Sequence, residues 1–391
     1  MKILLSNKFY YPRGGDCIYT LNFEQLLMQQ GNELAIFAMQ HPENLPSRWD
    51  KYFPSEVKFS AGMGVFEAVC RPLGTNEVRT KFNNLLNDFK PDIVHLNNIH
   101  SQISPVIAQI AHEKGIKTVW TIHDLKMLCP RYDCMRNGKQ ICELCFTDKK
   151  HVLKNRCMKN SLFASMIAYV EAKKWTKEKL EKYTDVFICP SQFMANKMIQ
   201  GGFSPNKISV LCNFIDIEKT KKENYDQEEY YCYIGRLSHE KGIYSLIEAA
   251  KQLPYPLKII GGGPLAEELR QTVRNENIEL LGYKKWDEIN KIVGKARFSV
   301  IPSECYENNP LSVIEAQCLG TPVLGANIGG IPELIESGKT GMLFESTNID
   351  DLKNKIEQMF SANFDYEQIA KTSQNRYSAE HYYREIIKIY Q

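Results

Sequence analysis

Residues 231–242 have the sequence YCYIGRLSHEKG, in which a short run at 231–234 is followed by a glycine and a polar loop. Short β-branched and aromatic runs that alternate with helical stretches are typical of βα units around a parallel sheet. The second half of the chain continues this pattern with runs at 257–260, 278–281, 298–301, 322–324 and 341–344. We therefore expect a doubly wound domain over residues 213–372.

The first half of the chain shows the same alternation. Its runs lie at 2–6, 33–38, 92–96, 118–122 and 185–189, and the helical stretch at 21–30 ends on Gly31 as a C-cap would. A polar connector at 218–229 interrupts the pattern. The sequence thus predicts an α/β protein with two Rossmann-like domains facing an inter-domain cleft, the first over 1–212. The aromatic-rich helical end, about 373–391, is expected to pack back on the first domain.

Composition limits the classes of function. The chain has 391 residues and a formal charge of +3, which is too small to indicate nucleic-acid binding. The N-terminus has the pattern of a first strand without a signal-peptide cleavage site. The longest apolar run, near 162–170, is about half of the ~20 residues that a spanning helix needs. We expect a cytoplasmic protein, at most peripheral on a membrane.

The loop after 231–234 carries two cations, Arg236 and Lys241, just before a helix. The free N–H groups and dipole at the start of a helix favour anions, so these cations predict a phosphate site. An arginine fork can bind a diphosphate through two hydrogen bonds, and lysine adds a point charge. The alternative is a solvated turn with two surface cations. The position after the first strand of a domain favours the phosphate site.

A second glycine-rich loop, IIGGGPL at 259–265, follows the next strand. Gly261, Gly263 and Ala266 fit a loose dinucleotide fingerprint, but they do not follow the first strand of their domain. We interpret the segment as a tight turn that lets the backbone approach a ligand or the other domain.

Residues 301–320, IPSECYENNPLSVIEAQCLG, place two acids eight positions apart. Pro310 is expected to be the first residue of a helix, so Glu307 would precede the helix and Glu315 would lie on its second turn. Each carboxylate can accept hydrogen bonds from sugar or ribose hydroxyls. Paired acids also occur in glycosidases, where the nearby Arg236 and Lys241 would be out of place. The simplest alternative is a capped helix with Glu315 as a surface residue.

These segments together resemble glycosyltransferase family 4. The resemblance rests on GRLSxEKG at 235–242, GGGP at 261–264, the pair Glu307 and Glu315 followed by AxxxGxPV, and IGGIPELIESGKTG at 328–341. In the first half it includes Gly14 and Gly15 after strand one and His123 with Asp124 after 118–122, so it covers almost the whole chain. It implies a GT-B fold, a nucleotide-diphosphate-sugar donor and retention of anomeric configuration.

The resemblance also implies roles for single residues. Arg236 and Lys241 would hold the donor diphosphate, Glu315 the ribose hydroxyls and Glu307 the transferred sugar. His123 would lie beside the anomeric centre and orient the sugar. The implied catalytic set is His123, Glu307, Arg236 and Lys241.

Further donor contacts are implied around this set. The backbone N–H groups from Asn308 through Asn309 and Pro310 to Leu311 would meet sugar and phosphate, and Tyr283 would meet the base. Gly14, Gly15 and Gly263 would allow close backbone approach. The family often has glycine after the first acid, whereas Asn308 and Asn309 stand here, which puts the sugar preference in doubt.

The implied chemistry needs no divalent metal. Arg236, Lys241 and the helix N-terminus can stabilise the negative charge that develops on the leaving nucleoside diphosphate, and no DxD motif is placed to bind a metal. The acceptor hydroxyl would attack from the side that the diphosphate leaves, without a covalent enzyme intermediate, as the family resemblance implies. UDP is the favoured nucleotide of the donor, because it is the commonest one in the family.

Five cysteines fall within residues 129–157: Cys129, Cys134, Cys142, Cys145 and Cys157. In a large cytosolic chain, thiols are more often reduced or metal-bound than part of a disulfide framework. Cys142 and Cys145 have the CxxC spacing of a zinc knuckle, and two further thiolates would complete a tetrahedral structural zinc site. A reduced, cysteine-rich loop is the alternative, and the sequence leaves both open.

The segment 149–182 contains ten Lys or Arg and three Glu, interleaved with apolar residues. Such a helix can lie on an anionic membrane, or it can be a packed surface helix with solvated lysines. Family members that build capsule or lipopolysaccharide use lipid-diphosphate acceptors, which favours the membrane. The implied acceptor is a glycan or an undecaprenyl-diphosphate-linked sugar.

The leading hypothesis is therefore a retaining hexosyl- or N-acetylhexosaminyltransferase of bacterial surface-polysaccharide synthesis. A nucleotide-sugar 2-epimerase would need acids and bases around the sugar C2, and phosphorylase-like chemistry would need a pyridoxal lysine; neither is evident. A sugar-nucleotide sensor or scaffold without turnover is the non-enzymatic alternative.

Overall fold

The computed structural model describes residues 1–57, 69–136, 138 and 140–391. The chain divides into two compact units. The first comprises Met1–Asn137, Cys142–Cys212 and Tyr383–Gln391, and the second comprises Gly138–Ile141 and Asn213–Tyr382. The division after Cys212 falls at the position expected from the sequence. The chain returns to the first unit at Tyr383, and not near residue 373 as the sequence predicted.

The first unit contains a six-stranded sheet. Its strands are β1 (Lys2–Ser6), β2 (Glu33–Phe37), β3 (Ile93–Leu96), β4 (Lys117–Thr121), β7 (Val186–Cys189) and β8 (Ile208–Val210); β5 (Met135–Arg136) and β6 (Gln140–Ile141) are short strands between β4 and β7 in the chain. The strand order is β2-β1-β3-β4-β7-β8, and neighbouring strands pair in parallel. β8 has no counterpart in the sequence prediction, because its three residues include a serine and are half-exposed or exposed.

Helices cover the connections of this unit. They are α1 (Gly15–Gln29), α2 (Asn76–Phe89), α3 (Val106–Glu113), α4 (His151–Lys154), α5 (Leu162–Lys174), α6 (Lys177–Tyr183) and α7 (Gln192–Gln200). α1 begins earlier than the predicted helix at 21–30, since Gly14 is its N-cap in extended conformation. It ends at Gln29, and Gly31 then adopts a φ of 77°, which glycine accepts without strain.

The second unit contains another six-stranded parallel sheet. Its strands are β9 (Tyr231–Ile234), β10 (Leu257–Ile260), β11 (Ile278–Gly282), β12 (Ser299–Ile301), β13 (Val323–Ala326) and β14 (Gly341–Phe344). Its helices are α8 (Ile243–Ala250), α9 (Ala266–Thr272), α10 (Trp286–Lys295), α11 (Leu311–Cys318), α12 (Ile349–Ser361) and α13 (Tyr366–Arg376), followed by α14 (Ala379–Tyr390). The strand order is β11-β10-β9-β12-β13-β14.

This order determines where a ligand can bind in the second unit. From β9 the chain runs outward through β10 and β11, then crosses to the other side of β9 and continues through β12, β13 and β14. The loops after β9 and β12 therefore leave the sheet in opposite directions and open a crevice at their carboxyl ends. β9 and β12 are direct neighbours, with Cys232 opposite Ser299. Arg236 and Lys241 follow β9, and Glu307 and Glu315 follow β12.

The predicted connector at 218–229 is part of the second unit and not a free linker. The Lys222 ammonium donates hydrogen bonds to the carbonyl oxygens of Gly294 and Leu319, the latter at 3.2 Å. Burial lowers the pKa of Lys222 to about 8. Lys222 therefore satisfies carbonyl oxygens in the last turn of α10 and just after α11, a use that composition alone does not show.

The end of the chain is anchored within the first unit by Tyr390. Its hydroxyl lies 2.6 Å from Nδ1 of the buried His95, whose Nε2 lies 2.8 Å from the Thr121 hydroxyl. Lys117 Nζ donates to the Tyr390 carbonyl oxygen at 3.1 Å. Burial lowers the pKa of His95 to about 3, so the imidazole is neutral. Separately, none of the helices in the described residues has the length and apolar character needed to cross a membrane.

Candidate active site

The loop after β9 presents two cations in different surroundings. Arg236 is exposed, and its guanidinium has no carboxylate partner among the residues that the structure describes. Its carbonyl oxygen accepts a hydrogen bond from the Tyr233 hydroxyl at 2.9 Å, which holds the turn. Lys241 lies at the end of a short 3-10 turn, His239–Lys241, that leads into α8. Within the described chain, Arg236 is thus available to a ligand, whereas Lys241 already has a protein partner.

Lys241 is held by Glu307, from the loop after β12. The Lys241 ammonium lies 2.5 Å from Glu307 Oε1, which also accepts a hydrogen bond from the Ser303 hydroxyl at 2.7 Å. Burial opposes the charge on both groups, but their mutual attraction outweighs it: the pKa of Lys241 is raised and that of Glu307 is lowered. Both groups are therefore ionised at neutral pH. Glu307 Oε2 has no partner within the described residues and can accept a ligand hydroxyl.

Gly242 makes this ion pair possible. It adopts a φ of 68°, and a Cβ on it would lie 1.8 Å from the carbonyl oxygen of Pro302. Only glycine fits both the left-handed backbone and the contact with the neighbouring loop. Glycines also let the loop after β10 pack against the loop after β9. A Cβ on Gly261 would lie 1.9 Å from the Gly235 carbonyl oxygen, and one on Gly263 would lie 2.5 Å from the Leu237 carbonyl oxygen. These glycines let three loops pack at the carboxyl ends of the strands.

Glu315 lies on the second turn of α11, as its spacing predicts. Its side chain is half-buried, and the described part of the chain gives it no hydrogen-bond or ion-pair partner. Burial raises the pKa of Glu315 from 4.5 to about 7. A carboxylate kept in low-dielectric surroundings without a partner costs free energy, and a diol ligand that donates two hydrogen bonds would offset that cost.

The first unit gathers polar side chains at the carboxyl ends of β1, β3 and β4. Lys8 follows β1, and its Nζ lies 3.7 Å from Asp16 Oδ2 at the start of α1. Asn98, which follows β3, donates to the same oxygen at 2.9 Å. These contacts lower the pKa of Asp16 despite its burial. The cluster lies beside the switch point of this sheet, between β1 and β3.

His123 follows β4 and belongs to this cluster. Its Nε2 lies 2.9 Å from the side-chain oxygen of Asn97, and its ring meets that of Tyr19 edge-on at 4.9 Å. Burial lowers its pKa to about 4, against the opposing effect of Asp16. With Asn97 as the acceptor, Nε2 carries the proton. A neutral imidazole with one face fixed by Tyr19 can orient a polar ligand group, although it cannot supply a full positive charge.

Two family models match the chain. The model described as Glycosyltransferase Family 4 matches residues 13–219, which is more than half of the 391-residue chain, and the model described as Glycosyl transferases group 1 matches residues 214–376. The two matches follow the two units in turn. The chain belongs to glycosyltransferase family 4. It is accordingly a glycosyltransferase with the GT-B fold, made of two Rossmann-like domains.

Individual relatives of this family 4 glycosyltransferase resemble mainly parts of it. The uncharacterized glycosyltransferase MJ1178 of Methanocaldococcus jannaschii is 30% identical over 183 residues, which cover 46% of this chain and 50% of that protein. The O-antigen biosynthesis glycosyltransferase WbnH of Escherichia coli is 32% identical over 222 residues, which cover 53% of this chain and 62% of that protein. The chain thus spans about half to three fifths of the length of these relatives.

The fold has a close counterpart among solved structures. HepE of Anabaena, solved in complex with UDP, superposes on this chain with a TM-score of 0.67 at 17% identity, covering 100% of this chain and 99% of HepE. At this identity the likeness concerns the fold. It matches the two doubly wound sheets described above.

Two expectations about the donor loop need correction. Pro310 is the N-cap of α11 and not its first residue, and as a proline it has no N–H to offer a phosphate. Asn309 is buried, and Asn213 holds it: the Asn309 side-chain oxygen accepts from the Asn213 N–H at 3.0 Å, and its carbonyl oxygen accepts from the Asn213 side chain at 2.9 Å, while the role of its own N–H stays a prediction. Neither Asn308 nor Asn309 has a positive φ, so glycine is not needed there. Leu311, the first residue of α11, can still donate.

The remaining glycines differ in how far packing explains them. Gly263 is required within its own unit, because a Cβ on it would lie 2.5 Å from the Leu237 carbonyl oxygen, and its role toward the donor stays a prediction. In contrast, among the described residues a Cβ on Gly14 would meet only Asp16 at 3.6 Å, and one on Gly15 would meet nothing within 4 Å. Packing therefore does not explain these two glycines, and their role toward the donor stays a prediction. Tyr283 follows β11 and is 84% exposed.

Sequence reasoning missed several polar residues of the site. Ser303 and Asn213 hold Glu307 and Asn309 in place, and Lys8, Asp16 and Asn98 form the cluster in the first unit. Lys8 and Asn98 directly follow strands, so their position after β1 and β3 was a usable signal. Ser303 and Asn213 carried no such signal, since a single serine or asparagine in a loop is common.

The Lys241–Glu307 pair predicts a non-additive effect on stability. Lys241→Met should lower the free energy of unfolding by about 2–4 kcal/mol, because it leaves the Glu307 charge uncompensated. Adding Glu307→Met should restore at least half of that loss, whereas donor binding should stay lost. Urea unfolding with a double-mutant cycle measures this. Lys339→Met, in an exposed pair with Glu336, is the control and should change stability by less than about 0.5 kcal/mol. Additive losses would contradict the coupling.

Glu315 predicts a pH-dependent stability. Its pKa is higher in the folded state, about 7, than the ordinary 4.5, so the folded state binds more protons between these values and stability falls as pH rises through that window. Glu315→Gln should therefore stabilise the ligand-free enzyme at pH 8 by about 1–3 kcal/mol and change little at pH 4.5. Thermal unfolding against pH measures this, with the exposed Glu336→Gln as control. A parallel shift at both pH values would refute the explanation.

Proposed function

We propose that this glycosyltransferase transfers a sugar from a nucleoside-diphosphate sugar, with UDP as the favoured nucleotide, to a glycan in bacterial surface-polysaccharide synthesis. The observation that carries the donor proposal is the juxtaposition of Arg236, Lys241 and Glu307 at the switch point of the second sheet. WbnH is named for O-antigen biosynthesis and HepE was solved with UDP. Both relatives support the substrate class.

The charges at this switch point suit a diphosphate next to a sugar. Arg236 is exposed without a carboxylate partner in the described chain, so it can bind phosphate oxygens in a bidentate way. Lys241 adds positive charge while keeping Glu307 ionised. The N-terminus of α11, which begins shortly after Glu307 in the sequence, contributes a partial positive charge. Glu307 Oε2 has no partner within the described ranges, as a group that accepts a sugar hydroxyl requires.

In the proposed mechanism the glycosidic C–O bond to the diphosphate breaks and a new C–O bond to the acceptor hydroxyl forms. The leaving nucleoside diphosphate takes the electron pair, and Arg236 and Lys241 stabilise its charge. The acceptor proton moves to the departing phosphate oxygen, on the same face of the sugar, so the configuration is retained. His123, neutral and held by Asn97, would orient the sugar by a hydrogen bond. No residue forms a covalent intermediate.

A cavity in the first unit supports a lipid-linked acceptor. It has a volume of about 530 Å³, and its lining includes the apolar Met158, Phe163 and Ile167 together with Lys8 and Lys126. Lys126 and Glu171, which also line it, form an ion pair whose charged atoms are 3.1 Å apart and whose side chains are almost fully buried. Apolar surface beside ammonium groups suits a molecule with an apolar chain next to phosphates. The proposed acceptor is therefore a sugar on an undecaprenyl-type diphosphate.

α5 extends this apolar wall onto the surface. Leu162, Phe163, Met166 and Val170 lie along one side of the helix and are 41–61% exposed. Lys173 and Lys174 follow in its last turn. Its opposite side is buried through Ser165, Ala168 and Glu171. Exposed apolar side chains flanked by lysines are suited to the surface of an anionic membrane, where a lipid-linked acceptor would be found.

The donor assignment predicts the effect of Arg236. A nucleotide-sugar screen by thermal shift should identify a stabilising donor, since a ligand that binds only the folded state raises its melting temperature. Arg236→Ala should weaken that donor about 10- to 100-fold through loss of charged hydrogen bonds, and Arg236→Lys should restore only part. Turnover is measured by release of nucleoside diphosphate in the presence and absence of acceptor.

Two results would redirect the proposal. The exposed Arg274→Ala serves as the control, and an equal loss there would mean that Arg236 acts only through general charge. Tight donor binding with no release of nucleoside diphosphate, by hydrolysis or transfer, would indicate a sensor instead of an enzyme.

The membrane proposal predicts a selective effect of the α5 surface. Phe163→Ser with Met166→Ser should reduce sedimentation with anionic vesicles at least about tenfold, because burial of each side chain contributes roughly 1.5–3 kcal/mol. Val210→Ser, an equally exposed apolar residue on β8, should have no effect. Donor binding should be unchanged in all variants. Binding that is insensitive to salt and to the α5 changes would exclude this surface.

A further inference from the structure

The cavity of the first unit has two chemically different parts. Much of its apolar lining comes from α5 and the segment just before that helix. Its polar lining includes side chains from the loops after β1, β3 and β4, namely Lys8, Asn98, His100 and Asp124. Lys8 and Asn98 also belong to the cluster around Asp16. The polar part of the cavity therefore adjoins that cluster.

Asp124 lines the cavity with a carboxylate that the protein uses only in part. Its Oδ1 accepts a hydrogen bond from the backbone N–H of Lys126 at 2.9 Å, whereas its Oδ2 has no hydrogen-bond or ion-pair partner within the described ranges. Burial raises the pKa of Asp124, and the ammonium groups of Lys8 and Lys126 oppose that rise. A half-buried carboxylate oxygen without a donor costs free energy, which a ligand hydroxyl in the cavity would offset.

Asn98 and His100 present further polar atoms to the cavity. The Asn98 amide donates to Asp16, which leaves its side-chain oxygen without a partner in the described part of the chain. His100 stacks on Trp120 with ring centres 5.2 Å apart, and its ring nitrogens have no hydrogen-bond partner among the described residues. Burial lowers the pKa of His100 well below its usual range, so the neutral imidazole offers one donor and one acceptor.

Glu171 of α5 holds the two loops that carry these groups. Its Oε1 accepts a hydrogen bond from the backbone N–H of Ser101 at 3.2 Å, and its Oε2 lies 3.1 Å from the Lys126 ammonium. Ser101 directly follows His100 and has a φ of 63°, which non-glycine residues adopt at a cost. One buried carboxylate thus fixes the loop after β3 next to His100 and the loop after β4 two residues beyond Asp124.

The cysteine-rich segment 129–157 contributes Tyr132 to the lining of the same cavity. In the part of the chain that the structure describes, its thiols are not arranged as a group of three or more metal ligands. The structural zinc expected from their spacing therefore stays a prediction. The contacts of Glu171 hold the polar loops of the cavity and involve none of these thiols.

The polar part of the cavity suits the hydroxyl groups of a sugar better than a phosphate. The Asp124 carboxylate and the Asn98 oxygen would repel phosphate oxygens, and the Lys126 ammonium already meets two protein oxygens. Hydroxyl groups both donate and accept hydrogen bonds, so one sugar ring can satisfy a carboxylate, an amide oxygen and an imidazole together. Lys159 also lines the cavity and is exposed without a carboxylate partner in the described chain, so it remains available to a phosphate.

We propose that Asp124, Asn98 and His100 form the subsite for the sugar of the acceptor, in which Asp124 Oδ2 accepts a hydrogen bond from one sugar hydroxyl. This subsite rests on the proposed function, in which the acceptor occupies this cavity and His123 orients the donor sugar. Asp124 directly follows His123, and of the two only Asp124 lines the cavity. Consecutive residues at the end of β4 would thus hold the two sugars. Asp124 orients the acceptor and takes no proton, since that proton moves to the departing phosphate oxygen.

Paired probes isolate the contribution of the acceptor sugar. Undecyl diphosphate, alone and carrying one hexose or N-acetylhexosamine, is titrated into the full-length protein, and Kd is measured by calorimetry. At least one sugar should tighten binding to the wild type about 10- to 100-fold, as expected for a hydrogen bond to a charged group. Asp124→Asn should remove most of that gain, because its amide presents a donor where the hydroxyl needs an acceptor. His100→Phe, which keeps an aromatic ring against Trp120, should lose about 2- to 10-fold.

Asp148→Asn is the matched control for Asp124→Asn. Asp148 Oδ1 likewise accepts the backbone N–H of the residue two positions on, Lys150, at 2.9 Å, but Asp148 does not line the cavity that the described residues form. Its substitution should leave the Kd of every probe unchanged. The sugar-free probe should bind all variants equally, which shows that they are folded. Thermal stabilisation by the nucleotide-sugar donor should also be unchanged, which separates an acceptor defect from a donor defect.

The sugar-free probe also separates the subsite from the proposed function. Equal binding of all lipid probes to the wild type would overturn the subsite and leave a lipid-diphosphate acceptor standing. If no lipid probe binds, methyl glycosides of the same sugars are tested at millimolar concentration by saturation-transfer NMR. A signal that Asp124→Asn abolishes would support the subsite and count against the lipid-linked acceptor, whereas no signal would overturn the subsite. A sugar gain that persists in Asp124→Asn would overturn the role of Asp124.

Discussion

The ion pair between Lys241 and Glu307 is the constraint on which the rest of the proposed donor site depends. It joins the loops after two neighbouring central strands, β9 and β12, and it fixes the charge state of both groups. Gly242 lets the loop after β9 lie against the Pro302 carbonyl oxygen, in the loop that carries Glu307. In the part of the chain that the structure describes, only Oε1 of Glu307 has a partner, so Oε2 can accept a ligand hydroxyl.

The two units use the same topology for different kinds of chemistry. In the second unit the switch point carries a cation, a fixed ion pair and an unpartnered acid, which suits a diphosphate and hydroxyl groups. In the first unit the Lys8 ammonium compensates the charge of the Asp16 carboxylate, to which Asn98 donates a hydrogen bond, and burial keeps the His123 imidazole uncharged. The neighbouring cavity then adds apolar surface. This division fits a donor that is recognised by charge and an acceptor that is recognised largely by apolar contact.

Much of the fold and part of the site could be predicted from sequence. Strands 231–234, 257–260 and 341–344 were predicted at their observed bounds, because buried parallel strands are short apolar runs that end at glycine or polar loops. The positions of Glu307 and Glu315 relative to α11 followed from helix geometry. The hydrogen bonds between Asn309 and Asn213 could not be predicted, because no local pattern reports a contact between residues 96 positions apart.

The sequence by itself determined the α/β class, the two-unit organisation and the residue types at the ends of the strands, since each of these follows from local periodicity. Only the tertiary structure decided that Lys241 pairs with Glu307 and that Gly263 packs against the Leu237 carbonyl oxygen. Such facts depend on contacts between distant segments, and chain periodicity contains no information about them.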